Sequence, residues 1–134
     1  IPTIADLFTY LNLGHIEAAL GLLEIQTDGK AKYPHITRQL ADNDNAILIL
    51  ACKLNLFAVV ELLLAFRKNG RPFFSNVIEK IAANNNAAFI IACGIGNLAM
   101  VKLFLRTNQN GTPLYPDVVE TIATRENAAL VAAC

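Results

Sequence analysis

The sequence predicts an all-α fold, specifically an α-solenoid of stacked helical repeats. Segment 86–105, NAAFIIACGIGNLAMVKLFL, recurs as segment 45–64 after a shift of 41 residues. Segments 4–23 and 127–134 fall into the same register. A glycine or asparagine divides each long segment into two apolar stretches with helical spacing, and no stretch shows the sustained alternation typical of a β-strand. The chain is therefore interpreted as one domain, residues 1–134, with repeats 4–44, 45–85 and 86–126 and a partial repeat 127–134.

Each repeat is predicted to contain a short first helix, a tight turn at Gly or Asn, a longer second helix, an Asp-Gly or Asn-Gly turn and a short third helix. In the first repeat the helices are expected at 4–11, after an N-cap at Thr3, and at 16–25. Three equivalent pairs supply the positive φ of a sharp reversal: Asp28-Gly29, Asn69-Gly70 and Asn110-Gly111. Third helices are expected over 36–41, 77–82 and 118–123, preceded by Pro34, Ser75 and Pro116, where proline suits a first turn and serine a cap. N-caps of the following first helices are assigned to Asn45, Asn86 and Asn127.

Composition limits the functional classes. Eleven basic and 11 acidic residues give a net charge of zero, which provides no general attraction to nucleic acid or an anionic membrane. No uninterrupted apolar run reaches the ~18 residues of a membrane span, and no secretory signal is visible, so a cytoplasmic protein is expected. Because the sequence begins with Ile1 and ends within half a helical pair, we expect it to be a fragment of a longer protein.

Three cysteines occur at the same position of successive repeats, Cys52, Cys93 and Cys134. Neighbouring helices lie about 10 Å apart, which is too far for the ~7 Å limit between the Cα atoms of a disulfide. Each cysteine follows an alanine within an apolar helix. The sequence therefore predicts reduced, buried core residues rather than nucleophiles or zinc ligands.

Two motifs resemble ankyrin repeats. GNLAMVKLFL at 96–105 resembles the ankyrin segment GHLEVVKLLL, and GHIEAALGLL at 14–23 keeps the Gly-His pair. The departures are an Asn-Ala start in place of Thr-Pro-Leu-His, Asn55 in place of the glycine, and a period of 41 residues rather than 33. The resemblance extends to ankyrin modules of effectors that intracellular bacteria deliver into host cells. The period alone also fits armadillo or HEAT repeats, which remain the alternative.

Neither an enzymatic site nor a cofactor site is predicted. The sequence lacks a P-loop, HExxH, CxxC and GxSxG, and Gly94-Ile95-Gly96 follows the repeat pattern rather than a strand. The resemblance implies that His15 makes a structural hydrogen bond between repeats. His35 is assigned a capping or first-turn role, so neither histidine is expected to bind metal.

The predicted function is therefore recognition of another protein through the concave and loop-edge surface. The resemblance places partner contacts on the two residues before each Gly-His turn: Asn12 and Leu13, Lys53 and Leu54, Gly94 and Ile95. A basic edge after the second helices adds six cations: Lys30, Lys32, Arg67, Lys68, Arg71 and Arg106. These cations also compensate helix dipoles, which is the simpler explanation for their placement. The alternatives are a targeting module of a larger enzyme or bacterial effector and, third, a nucleic-acid-binding domain.

Overall fold

The computed structural model describes the backbone of residues 2–124 and the side chains of these residues other than 85 and 121–124. This part of the protein is all-α apart from isolated β-bridges, as predicted. Its helices in order are α1 Ile4–Leu13, α2 Ile16–Leu22, α3 Pro34–Thr37, α4 Asp42–Lys53, α5 Phe57–Leu63, α6 Ser75–Glu79, α7 Ala83–Ile95, α8 Leu98–Phe104 and α9 Pro116–Thr124. The partial repeat 127–134, with Asn127 and Cys134, lies outside the described residues.

The helices recur with the period of the sequence. Helices α2, α5 and α8 begin 41 residues apart, and so do α3, α6 and α9. Between the first and second helices of each unit, Gly14, Asn55 and Gly96 adopt left-handed φ values of 75°, 58° and 80°. The predicted reversal at this position is therefore confirmed, and Asn55 tolerates it because asparagine enters the left-handed region more readily than other side chains.

The N-cap prediction at Thr3 is also supported. The backbone N–H of Thr3 donates to the Asp6 carboxylate at 2.8 Å, and the N–H of Asp6 donates back to the Thr3 carbonyl at 3.0 Å. A carboxylate in this first turn also interacts favourably with the helix dipole.

A short finger follows the second helix of each unit. The prediction that the second helices are the longer ones is wrong: α2, α5 and α8 have 7 residues each, against 10 to 13 in the first helices. Helix α2 ends at Leu22 rather than near residue 25, and Ile25 forms an antiparallel bridge with Ala31. Phe66 pairs with Pro72 and Thr107 with Pro113 in the equivalent fingers. At each tip the glycine has φ between 80° and 85°, as the Asp-Gly and Asn-Gly pairs predicted.

The third helices begin at Pro34, Ser75 and Pro116, the predicted starting positions ahead of the apolar segments 36–41, 77–82 and 118–123. Serine is not the cap of α6, because Ser75 is its first helical residue and Phe74 occupies the cap position. Helices α3 and α6 also end sooner than expected, at Thr37 and Glu79, and turns then lead to the next unit.

Regular helical backbone begins only after Asn45 and Asn86, but the side-chain caps predicted for these two residues are not formed. Asn45 has φ 65° and Asn86 has φ 63°, and both side chains are buried. The Nδ2 group of Asn45 donates to the carbonyl oxygens of Val77 and Lys80 at 3.0 and 3.1 Å, while that of Asn86 donates to the carbonyl of Val118 at 3.2 Å. The side chain thus joins the start of the first helix to the third helix of the same unit, because its amide faces inward rather than towards its own helix.

The units pack side by side around one hydrophobic core. Helix α4 packs against α7, α5 against α8, and α2 against α5. Cys52 and Cys93 are buried in this core as free thiols, which confirms their predicted structural placement. Burial raises the pKa of the Cys52 thiol from 9.0 to about 12 and also raises the pKa of Cys93, because desolvation disfavours the thiolate.

No helix in the described part of the protein is both long and apolar enough to cross a membrane.

Candidate binding surface

The six partner-contact residues predicted before the turns between the first and second helices all lie at the surface, at the ends of the first helices. Leu13, Leu54 and Ile95 occupy one register position in three successive units and are 62%, 39% and 41% exposed. Their neighbours Asn12, Lys53 and Gly94 are exposed as well. We call Leu13, Leu54 and Ile95 the apolar ladder. Single exposed leucines are common on any protein surface. These three side chains differ because they are exposed at the same position of three successive units.

The first helices extend the apolar ladder onto a neighbouring face. Phe8, Ile49 and Ile90 share one register position, as do Leu50 and Ile91, and all five are only half-buried although they pack against the core. Between α1 and α4 this face forms a groove lined by apolar and amide side chains. The residues that line it are Phe8, Asn12, Asn43, Ala46, Ile49, Leu50, Lys53 and Asn84.

The amino group of Lys53 is the one formal charge among these groove-lining residues. A groove of apolar and amide side chains with a single cation suits a partner segment that presents aliphatic side chains, and a carboxylate close to Lys53 would complement it electrostatically.

The basic edge is smaller than the sequence indicated. Lys32 lies 3.9 Å from the carboxylate of Glu24, and both side chains are about half exposed. Arg67 is half-buried with its Cζ 4.9 Å from the centre of the Phe73 ring. It also reaches the neighbouring finger, because a Cβ added to Gly29 would lie 3.2 Å from Arg67 Nη1.

Three predicted cations are exposed and make no ion pair with another described residue: Lys30, Lys68 and Arg71. All three lie in the first two fingers. The finger of the third unit carries Asn108, Gln109 and Asn110 instead and is uncharged at its tip. The accessible positive charge is therefore local rather than a continuous strip along the repeats.

Arg106 is held within the structure. Its Nη2 donates to the carbonyl oxygen of Leu64 at 2.9 Å and to the hydroxyl of Tyr115 at 2.6 Å, and its Nε donates to the Leu103 carbonyl at 3.2 Å. The guanidinium also lies about 6 Å from the ring centres of Phe66 and Tyr115. A partner contact by Arg106 would compete with these bonds, although its binding role stays a prediction.

The two histidines have different surroundings. His15 is exposed and makes no side-chain hydrogen bond to another described residue, so the implied bond between repeats is not formed; its ring lies 6.3 Å from that of Tyr10. His35 lies in the first turn of α3, as predicted, and its Nε2 donates to the Pro2 carbonyl at 2.7 Å, which anchors the start of the described segment.

Besides Arg106, two asparagines form hydrogen bonds between units, and the sequence did not predict these bonds. Asn97 Nδ2 donates to Asn55 Oδ1 at 2.8 Å, and Asn97 Oδ1 accepts from the backbone of Met100 at 3.1 Å. Asn76 Nδ2 donates to the Thr37 carbonyl at 2.9 Å. The sequence does indicate a structural role for Asn76, because the equivalent positions 35 and 117 also carry polar residues.

The described residues contain no group of three or more His, Cys, Asp or Glu side chains that could hold a metal ion. Glu79, Asp117 and Glu120 line a groove between α6 and α9, where Lys80 accompanies them.

No protein-family model, curated protein or solved structure matches this protein.

Proposed function

We propose that this protein is a protein-binding module with the architecture of an ankyrin-like α-solenoid, without enzymatic activity in these residues. Its 41-residue recurrence of helices, turns and fingers supports this architecture. Solenoids of this kind present extended preformed surfaces to their partners. The cytoplasm, including that of a host cell if the module belongs to a bacterial effector, is the compartment that suits two buried free thiols.

The apolar ladder is the observation that carries this proposal. Leu13, Leu54 and Ile95 are exposed at the same place in three units, and they adjoin the half-buried aliphatic face of α1, α4 and α7. Contiguous exposed apolar surface costs free energy in water and is typical of interaction sites. A partner that covers the apolar ladder would bury part of each side chain, and burial contributes about 25 cal/mol for each Å² removed from water.

Affinity capture with matched variants tests the proposal. Leu54→Asp introduces a charge into the apolar ladder, while Val119→Asp introduces the same charge on α9, where Val119 is equally exposed at 39%. We expect the wild type and Val119→Asp to retain a common partner from a cell lysate, and Leu54→Asp to lose it. Circular dichroism should show equal helicity in all three proteins. Equal retention by the two variants, or no retained partner, would contradict the proposal.

A further inference from the structure

Two finger tips carry an asparagine followed by glycine. Asn69-Gly70 follows α5 and Asn110-Gly111 follows α8, and all four residues are exposed. The glycines have φ of 85° and 80°, in the left-handed region that favours glycine. Asparagine is a thermally labile residue. Its side-chain amide is most vulnerable when the next residue is glycine, because no Cβ then shields the following backbone nitrogen.

We propose that both turns are sites of spontaneous deamidation and that Asn110 is converted before Asn69. The backbone nitrogen of the glycine attacks Cγ of the asparagine and loses its proton to solvent. A new bond forms between this nitrogen and Cγ, the bond between Cγ and Nδ2 breaks, and ammonia leaves, so that a cyclic succinimide remains. Water then opens either carbonyl of the ring to give aspartate or isoaspartate. The net change is the exchange of an amide for a carboxylic acid, with water consumed and ammonia released.

The order follows from the local hydrogen bonds. Asn69 Oδ1 accepts from the backbone N–H of Arg71 at 2.9 Å, which holds the side chain in one orientation. In the third unit Asn108, not Asn110, makes the corresponding side-chain hydrogen bonds. Its Oδ1 accepts from the N–H groups of residues 110 and 112 at 2.9 and 3.1 Å. The Asn110 amide makes no hydrogen bond with another described residue, so it is free to approach the nitrogen of Gly111.

The backbone N–H groups of the two glycines make similar hydrogen bonds, so they give no reason to expect Asn69 to react before Asn110. Gly70 donates to the Arg67 carbonyl at 2.9 Å, and Gly111 donates to the Asn108 carbonyl at 3.0 Å.

The first unit shows that the aspartate product fits the turn. Asp28 occupies the equivalent position, and its Oδ1 accepts from the Lys30 N–H at 2.9 Å, as Asn69 Oδ1 accepts from Arg71. Conversion of Asn69 to aspartate therefore preserves the turn and places a negative charge between Lys68 and Arg71. The isoaspartate product lengthens the backbone by one methylene and would disrupt the hydrogen bond from Gly70 to Arg67.

Timed incubation of the intact protein at neutral pH and body temperature, followed by peptide mapping with mass spectrometry, tests the proposal. We expect the Asn110 peptide to gain about one dalton several-fold faster than the Asn69 peptide. Asn84 is an internal control, because it is also exposed, with positive φ and no side-chain hydrogen bond to another described residue, but it precedes Asn85 rather than a glycine. A sample unfolded in urea gives the deamidation rate of each asparagine in the absence of the folded structure.

Conversion of Asn69 first, or equal rates at the two sites, would overturn the order. If neither site reacts in the folded protein, whether or not both react in urea, the proposal is wrong. Conversion of Asn84 at a rate similar to that of Asn110 would contradict the role of glycine.

Discussion

Arg106 and Tyr115 direct hydrogen-bond donors at the same acceptor, the carbonyl oxygen of Leu64 in the preceding unit, each at 2.9 Å. They also contact each other, with Arg106 Nη2 2.6 Å from the Tyr115 hydroxyl. Desolvation raises the pKa of Tyr115, while the charge and hydrogen bond of Arg106 lower it in part. The three groups join the third unit to the second at the base of the finger.

Arg106→Ala should lower the free energy of unfolding by about 2 kcal/mol, because hydrogen bonds to a charged group contribute about 1.5–3 kcal/mol. Tyr115→Phe should also cost about 2 kcal/mol, since it removes both the neutral bond to the Leu64 carbonyl and the bond from the Arg106 guanidinium, while Arg106 keeps its own bond to Leu64. Urea unfolding followed by circular dichroism measures both changes. Lys102→Ala, an exposed change on α8, serves as the control and should stay within about 0.5 kcal/mol of the wild type. A loss for Arg106→Ala no larger than that of the control would show that the guanidinium does not join the units.

Asn45 should be more sensitive to substitution than a surface asparagine. Asn45→Gly removes the donors to Val77 and Lys80 but suits φ 65°, so we expect a loss of about 1–3 kcal/mol. Asn45→Ala should cost about 1 kcal/mol more, because alanine is strained in the left-handed region. Denaturant unfolding separates the two effects.

Asn84→Gly is the matched control for this prediction. Asn84 has φ 56° at the equivalent junction of the next unit, but its side chain is exposed. The change should alter the free energy of unfolding by no more than about 0.5 kcal/mol. If Asn45→Gly proved as mild as Asn84→Gly, the buried amide would not be needed to join the first and third helices.

The period of the sequence was sufficient to predict the order of helices and turns. Glycine, asparagine and proline fix local backbone geometry, so Gly14, Gly96 and Pro34 indicated reversals and a helix start without tertiary information. Apolar spacing likewise predicted that Cys52 and Cys93 would be buried. These features depend on residues that are close in sequence.

Long-range polar contacts could not be predicted in this way. Asparagine favours the N-cap position, so the sequence predicts that the Asn45 side chain caps its own helix. In the structure its amide instead donates hydrogen bonds to carbonyl groups 32 and 35 residues away. The sequence places Arg106 on a basic edge, but in the structure its guanidinium donates a hydrogen bond to a carbonyl 42 residues earlier. A charged or amide side chain has the same local preferences whether it is exposed or joins two units, and only the packing of the helices decides between these outcomes.

The stability of the protein should fall in alkaline solution because of Cys52. Its pKa is about 12 in the folded protein against 9.0 ordinarily, so the native state retains the proton more strongly than the unfolded state. The contribution is fully present below the ordinary value of 9.0 and is lost as pH rises from there towards 12. Within this window the free energy of unfolding should decrease by up to ~1.4 kcal/mol per pH unit from this thiol.

Unfolding curves of the wild type and Cys52→Ala, measured at about pH 8 and about pH 10, isolate this contribution, because tyrosines and lysines titrate in both proteins. We expect the stability difference between the two proteins to shrink at the higher pH. A constant difference would show that the thiol is accessible to hydroxide in the native state and contradict its burial.

The exposed cations should affect partner binding without affecting the fold. Lys68→Glu with Arg71→Glu reverses two charges in the second finger, where neither residue forms an ion pair with another described residue. Affinity for the captured partner should fall at least several-fold at low salt and less at high salt, because exposed charges are screened. Arg38→Glu with Lys80→Glu makes the same charge change at the third helices and is the control. An equal loss of affinity in both double variants would indicate a general charge effect. Unchanged affinity in the Lys68→Glu and Arg71→Glu variant would show that the basic edge is not part of the binding surface.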